Sequence, residues 1–248
     1  MCMDPLVLVS AAHPLAEERP PQLMPADPDY PQILMERRAA GLLQACIGAV
    51  GGRGKILPVS GWRSRQEQEQ IWADTLTKRG EAYTRSFVAL PGCSEHQTGL
   101  AIDLGCAGQE LDFICPCFPE NGVYGAFRRA APDYGFILRY PQGKEQITGI
   151  AHEPWHFRYV GFPHSLIMQK KGLALEDRGL VLEEYLEMLR RYCVKTPLRF
   201  QARRYDFEVF YLPEGEDARL ESRKNSCCQH SGDNRGGQVW TIWKECGA

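Results

Sequence analysis

Three residues with metal-binding side chains stand in two short blocks of the sequence. His96 and Asp103 belong to the first block, and His156 belongs to the second. Imidazole and carboxylate groups suit a catalytic zinc ion, which takes three protein ligands and keeps a further position open. We therefore predict a zinc site formed by His96, Asp103 and His156.

The second block also contains a candidate general base. His152-Glu-Pro-Trp-His156 matches H-E-x-x-H, which in one class of zinc proteases places both histidines on one face of a helix. Pro154 restrains Glu153 to extended geometry, and the residues that follow have the composition of a strand. We therefore reject the helical arrangement, keep Glu153 as the base and His156 as a ligand, and place His152 behind the ligands or at the surface.

A permanent cation precedes the first block. Residues 55–60 have strand composition and lead to Arg63 at a strand-to-helix turn. Ser64 and Glu67 form a capping-box pattern for a helix that ends near Gly80. Arg63 thus lies beside a helix N-terminus, where partial positive charge also favours an anion, and suits an oxyanion or a carboxylate.

The remaining patterns predict an α+β fold with a mostly antiparallel sheet flanked by helices. Helices are predicted over 30–50, 123–131 and 180–189. Strands are predicted near the N-terminus and over 100–104, 136–140, 155–160, 207–212 and 238–243, with 136–140 and 155–160 paired antiparallel. The composition changes at Thr196-Pro197, so we predict a catalytic domain over 1–195 and a C-terminal β extension over 196–248 packed on the same domain.

Composition argues against several classes of partner. Lys and Arg total 29 against 31 Asp and Glu, which leaves no basic field for nucleic acid or an anionic membrane surface. No segment is long and apolar enough to span a bilayer, and no export signal is recognised, so we expect a cytoplasmic protein. The ten cysteines lack the C-x-x-C spacing of common zinc sites, and we expect ordinary reduced thiols.

Three blocks resemble a known family and occur in its order. They are Ser-x-His-x-x-Gly-x-Ala-x-Asp at 94–103, Glu-x-x-His at 153–156, and Ser60-Gly-Trp-Arg-Ser64 followed by Gln68. Together they resemble the zinc D-alanyl-D-alanine peptidases of the VanY and VanX type. The longer stretches 87–97, 134–141 and 153–161 particularly resemble the bifunctional VanXY enzymes. Trp62 departs from the Tyr or Phe that is usual at its position.

The resemblance implies an activity and a role for each site residue. The activity is hydrolysis of D-Ala-D-Ala dipeptide, removal of the terminal D-Ala from peptidoglycan pentapeptide precursors, or both, as in vancomycin resistance. One zinc ion would activate water, with Glu153 as general base and acid and Arg63 facing the substrate or its oxyanion. Gln68 and Ser94 would donate or accept hydrogen bonds with the substrate, and Trp155 would form an apolar wall against its methyl groups.

Two alternatives remain open. The first is a peptidoglycan peptidase with the same fold and metal but with L,D or endolysin-type specificity. The second is a zinc-stabilised protein that binds wall peptides without cleaving them. Glu153 argues against the second, because a structural zinc site needs no general base.

Overall fold

The computed structural model describes residues 3–15, 22–109, 112–173, 179–216 and 227–246. Its strands in these ranges are β1 Leu23–Pro25, β2 Leu34–Glu36, β3 Ile56–Ser60, β4 Ala101–Cys106, β5 Phe136–Tyr140, β6 Glu153–Tyr159, β7 Leu198–Ala202, β8 Tyr205–Pro213, β9 Cys227–Gly232 and β10 Gly237–Glu245. Its α-helices are α1 Arg37–Ala49, α2 Arg65–Arg79, α3 Glu81–Phe87, α4 Gly122–Ala130, α5 Glu145–Thr148, α6 His164–Leu173 and α7 Leu182–Leu189, and two 3₁₀ helices span Glu95–Thr98 and Ala131–Tyr134.

The central sheet has the strand order β3-β4-β6-β5, and every pair in it is antiparallel. The pairing places Asp103 opposite His156 and Tyr140 opposite Glu153. Facing residues of an antiparallel pair lie about 5 Å apart at Cα. The register of this sheet therefore brings the two predicted blocks together, and the predicted α+β class is confirmed.

Helix α1 packs its apolar stripe against this sheet. Ala39, Leu43 and Ile47 recur at four-residue steps and are buried in one cluster with Ile102 and Phe157 from β4 and β6. Such spacing keeps the three side chains on one helical face. The helix thus covers the face of the sheet on which the apolar core lies.

A second sheet follows in the C-terminal part, with the order β7-β8-β10-β9 and antiparallel pairing. The two predicted tail strands, 207–212 and 238–243, pair directly with each other as parts of β8 and β10. A second apolar cluster joins this sheet to α6 and α7 and to the central sheet through Ile137. β9 was missed because the sequence Cys-Cys-Gln-His-Ser-Gly carries no apolar alternation.

Two local expectations were wrong. The first helix begins at Arg37 and not near Tyr30, because Glu36 caps it with its carboxylate and residues 34–36 pair with β1. The N-terminal apolar run forms no named strand within 3–15, although Leu6 and Leu8 are buried. Their backbone amides instead bond Ser231 Oγ and the Asp233 carbonyl, which are long-range partners that no local pattern reveals.

His164 links three elements of the C-terminal core. Its Nδ1 lies 2.8 Å from the Tyr185 hydroxyl on α7, and its Nε2 lies 3.1 Å from Thr241 Oγ1 on β10. Burial lowers the pKa of His164 to about 3 from an ordinary 6.5. The imidazole is therefore neutral in the folded protein, whereas the unfolded chain takes up a proton as the pH falls below about 6.5.

This difference predicts a pH dependence of stability. The contribution of His164 is complete above pH 6.5 and is lost as the pH falls toward 3, at roughly 1.4 kcal/mol per pH unit. Urea unfolding at pH 7.5 and 5 should show a smaller loss of stability in His164→Gln than in the wild type. His230→Gln, an exposed control, should follow the wild type; equal acid sensitivity of all three proteins would contradict the expectation.

Candidate metal centre and active site

The three predicted ligands lie close together where β4, β6 and the 3₁₀ helix Glu95–Thr98 meet. Asp103 Oδ1 lies 2.9 Å from His156 Nδ1, and Asp103 Oδ2 lies 3.2 Å from His96 Nε2. The ligand atoms of all three residues lie within 4.8 Å of one another, and all three side chains are buried. Within the described ranges this is the one group of three or more His, Cys, Asp or Glu residues with such geometry.

Close backbone packing brings His96 to this point. Its Nδ1 lies 2.7 Å from the Gly61 carbonyl, which leaves Nε2 directed at Asp103. A Cβ at position 61 would lie 2.1 Å from the Leu34 carbonyl oxygen, so only glycine allows this approach. Gly99 ends the 3₁₀ helix with a left-handed φ of 71° and turns the chain into β4. Steric constraints on the backbone thus explain why glycine occupies positions 61 and 99.

The donor set fits a zinc ion. Two imidazole nitrogens and a carboxylate are the ligands that zinc takes in catalytic sites. The Gly61 carbonyl accepts a hydrogen bond from Nδ1 of His96, which commits that nitrogen and leaves the lone pair on Nε2. All three donors are buried, are directed at one another and line one cavity. This is the arrangement that a metal ion needs.

Electrostatics keep two ligands in their metal-binding forms. Burial and the positive charge of Arg63 lower the pKa of His96 to about 4. Burial would raise the pKa of Asp103, but the two histidines outweigh this effect and hold it below its ordinary range. In the metal-free site His156 retains a proton, because the carboxylates of Asp103 and Glu95, which face its two ring nitrogens, overcome the effect of burial and raise its pKa to about 9.

Glu153 has the properties of an acid–base group. It is the first residue of β6, so the extended geometry expected of Glu153 is confirmed. Its Oε2 lies 3.6 Å from His156 Nδ1. In the metal-free site, burial, with a smaller contribution from the negative charge of Asp103, raises the pKa of Glu153 to about 8. A carboxyl group whose pKa lies near neutrality exchanges protons efficiently at working pH.

Arg63 is held rigidly beside the ligands. Its Nη2 donates to Asp103 Oδ2 at 3.2 Å, its Nη1 donates to Gln68 Oε1 at 3.0 Å, and its Nε donates to Ser60 Oγ at 3.0 Å. Gln68 in turn donates to the Ala89 carbonyl at 2.8 Å, so both ends of its amide bond the protein. The geometry therefore gives Gln68 a role in holding Arg63.

One cavity brings together all eight residues that the sequence analysis selected: Arg63, Gln68, Ser94, His96, Asp103, Glu153, Trp155 and His156. Its walls include apolar side chains that sequence reasoning missed, among them Ile71, Phe87, Val88, Phe113, Ile114 and Ile150. Phe87 and Val88 begin the stretch 87–97 that resembles the VanXY enzymes, whereas the other four lie on helices and loops with no motif of their own. Phe113 is 66% exposed and marks the mouth of the cavity.

Sequence reasoning also missed a buried ionic cluster behind His156. Glu95 forms ion pairs with Arg139 Nε and Arg158 Nη1, each at 2.8 Å, and all three side chains are at most 1% exposed. A signal was present in the sequence, since each arginine interrupts an otherwise apolar strand, in Phe136-Ile-Leu-Arg-Tyr140 and Trp155-His-Phe-Arg-Tyr159. Charged residues in buried strands require a partner of opposite charge.

A buried His-Asp-His set, an acid–base glutamate and a fixed arginine around one cavity define a metal-dependent hydrolase. The sequence model of the VanY family, described as D-alanyl-D-alanine carboxypeptidase, matches residues 32–162. The chain belongs to this family, and it is a zinc peptidase by class.

The similarity extends beyond residues 32–162. The bifunctional D-Ala-D-Ala dipeptidase and D-Ala-D-Ala carboxypeptidase VanXYC of Enterococcus gallinarum is 44% identical over 177 residues, which is 71% of this chain and 93% of the relative. The structure of the vancomycin-resistance D,D-dipeptidase VanXYg with a D-Ala-D-Ala phosphinate analog has a TM-score of 0.90 and 46% identity, and the match covers 97% of this chain and 94% of that chain.

A third relative contains the metal. A mutant of the vancomycin-resistance D,D-pentapeptidase VanY from a VanB-type cassette, in complex with Zn(II), has a TM-score of 0.60 and 30% identity, and the match covers 73% of this chain and 98% of that chain.

No helix of the described ranges is long and apolar enough to cross a bilayer.

Proposed function

We propose that this protein is a zinc-dependent D,D-peptidase that hydrolyses D-Ala-D-Ala and removes the terminal D-Ala from peptidoglycan pentapeptide precursors. Such an activity would remove the target of vancomycin and is consistent with glycopeptide resistance. The observation that carries the proposal is the joint placement of the His-Asp-His set, Glu153 and Arg63 around one cavity, in a chain that covers 93% of a bifunctional relative.

The proposed cofactor is one zinc ion on His96, Asp103 and His156. When bound, it supplies Lewis acidity, which makes water more acidic and polarises a peptide carbonyl. Glu153 takes the proton of the attacking water and passes it to the departing amine of D-alanine. Arg63 contributes a permanent charge, held by three hydrogen bonds, which stabilises the oxyanion or binds the substrate carboxylate.

Further residues orient the substrate in this proposal. Ser94 lines the cavity beside His96 and offers a neutral hydroxyl, and Trp155 forms an apolar wall for D-alanine methyl groups. Gln68 acts through Arg63, whose guanidinium it holds at 3.0 Å, and it keeps a second amide hydrogen for the substrate.

We also propose a location and a division of the chain. All nine cysteines of the described ranges are free thiols, which suits the reducing cytoplasm where peptidoglycan precursors are made. Residues 1–195 form the catalytic unit, and residues 196–248 form an extension packed on it. β7 begins at Leu198, and Leu198 and Val209 belong to the same apolar cluster as Ile137 of the central sheet.

Release of free D-alanine tests the function. Purified protein should release D-alanine from D-Ala-D-Ala and from a pentapeptide ending in D-Ala-D-Ala, should lose both activities with a chelator, and should regain them with zinc. A tetrapeptide with an L-Lys-D-Ala end tests the L,D alternative. Cleavage of this tetrapeptide alone would replace the proposed specificity, and no cleavage by zinc-loaded protein would favour the binding alternative.

A further inference from the structure

Glu95 lies beside His156 at the wall of the cavity, next to the ring nitrogen that Asp103 does not contact. It follows Ser94 on the 3₁₀ helix and has a side chain with 0% exposure. Its Oε2 lies 3.5 Å from His156 Nε2. Apart from this contact, neither atom has a hydrogen-bond partner among the described residues. The two groups therefore face each other in an enclosed space.

The carboxylate of Glu95 is itself fixed from behind. Its Oε1 accepts a hydrogen bond from Arg139 Nε and forms an ion pair with Arg158 Nη1, both at 2.8 Å. Arg139 also forms a bidentate pair with Glu183 of α7, with distances of 2.7 and 2.9 Å. Arg158 donates to the backbone carbonyls of Val7 and Tyr159. These contacts hold the second oxygen of Glu95 toward the histidine ring.

An ionised carboxylate only accepts hydrogen bonds, so the imidazole nitrogen that faces it must carry the hydrogen. In neutral His156 this nitrogen is Nε2, and the lone pair is then on Nδ1, which faces Asp103 Oδ1 at 2.9 Å. His96 has the opposite arrangement, because the Gly61 carbonyl bonds its Nδ1 and leaves Nε2 for the metal. The two histidines thus present different nitrogens to one site.

We propose that Glu95 is a positioning residue that selects the metal-binding tautomer and ring orientation of His156, with Arg139 and Arg158 as the groups that direct its carboxylate. The inference rests on the zinc site proposed above and adds a determinant of zinc affinity outside the ligand set. Outer carboxylates that orient a metal-bound histidine typically change metal affinity by about 10–100-fold.

Glu95→Gln tests the tautomer directly. The two arginines require an acceptor, so the amide oxygen of the substituted side chain turns toward them and its NH₂ group faces His156. Nε2 must then accept a hydrogen bond, and the hydrogen moves to Nδ1, where it blocks the metal. We expect the zinc dissociation constant, measured by competition with a chromophoric chelator, to rise about 10–100-fold. The visible absorption spectrum of the cobalt-substituted protein should change as well.

Glu183→Gln is the matched control, because it removes one negative charge from the same arginine cluster but lies away from His156. It should bind zinc within about threefold of the wild type and keep the cobalt spectrum, since it alters no group that faces the ligand. Glu95→Asp keeps the charge but withdraws the carboxylate from the ring by one methylene. Glu95→Asp should also weaken zinc binding. If Glu95→Gln does not fold, the zinc affinity of Glu95→Asp tests whether Glu95 positions His156.

The outcomes separate this inference from the proposed function. Wild-type protein that binds zinc, together with Glu95→Gln and Glu95→Asp variants that match Glu183→Gln in affinity and spectrum, would overturn the inference alone. Wild-type protein that binds no zinc would overturn the proposed function and this inference with it. Weakened binding in both Glu95 variants, but not in Glu183→Gln, is the result that we expect.

Discussion

Replacing Glu153 by glutamine should lower kcat for D-Ala-D-Ala by about 10³-fold and leave the zinc content unchanged. Glutamine has nearly the same shape but cannot take a proton from water. Glu153 does not belong to the group of three side chains whose ligand atoms all lie within 4.8 Å of one another. Steady-state kinetics and metal analysis of the purified variant measure the two effects separately.

The same substitution has a predictable effect on stability. Burial raises the pKa of Glu153 to about 8 from 4.5 in the metal-free protein. The folded state therefore holds a proton that the unfolded chain has lost at neutral pH, and stability falls as the pH rises toward about 8. The glutamine of Glu153→Gln does not ionise, so the variant avoids the cost of a buried negative charge at high pH. The metal-free variant should therefore unfold at a higher denaturant concentration than the wild type at pH 8 to 9.

Glu81→Gln on the exposed side of α3 should match the wild type in kcat. Substantial turnover by Glu153→Gln with bound zinc would exclude Glu153 as the general base. If neither the wild type nor the variant turned over substrate and both bound wall peptides equally, the binding alternative would replace the enzyme.

Replacing Asp103 by asparagine should abolish zinc binding at working concentrations and D-alanine release with it. Asp103 is the anionic member of the proposed ligand set and contacts both His96 and His156. A neutral amide is a much poorer zinc ligand, and loss of one of three protein ligands should raise the dissociation constant by roughly 10³-fold or more. Chelator competition and D-alanine release by the same preparation provide the measurements.

Asp103→Asn also removes the ion pair with Arg63. Because that arginine is largely buried, with 15% of its side chain exposed, the variant should be less stable by about 1 to 3 kcal/mol. Asp74→Asn on the exposed face of α2 removes the same charge without a contact to the site and should bind zinc normally. An Asp103→Asn protein that retained zinc with wild-type affinity would show that the ligand set is wrong.

Local patterns were sufficient for several elements that support the site. The capping box at Ser64 and Glu67 is present as predicted, because both partners lie within one turn of α2. The extended conformation of Glu153 was also predictable from a neighbour, because a proline such as Pro154 restricts the residue before it. Interactions of short range can be recognised from the chain alone.

Other elements depended on partners far away in the chain. The start of α1 at Arg37 depends on the pairing of β2 with β1 and on a hydrogen bond from the Glu36 amide to the Gly99 carbonyl. The N-terminal run is apolar like a strand, but the amides of Leu6 and Leu8 bond residues beyond 230. Apolar periodicity in the sequence predicts which residues are buried, but it does not predict the hydrogen-bond partner of each backbone amide.

For the candidate site, the sequence by itself was sufficient to predict the residue types, which are three zinc ligands, a glutamate base and an arginine, because their spacing and flanking residues resemble one family. Only the tertiary structure decided the register that places Asp103 opposite His156, the nitrogen that each histidine directs at the metal, and the cluster of Glu95 with two arginines. These features join residues that lie 35 to 63 positions apart in the chain, from Gly61 and His96 to Glu95 and Arg158. Their geometry follows from strand pairing and burial, which no short stretch of sequence contains.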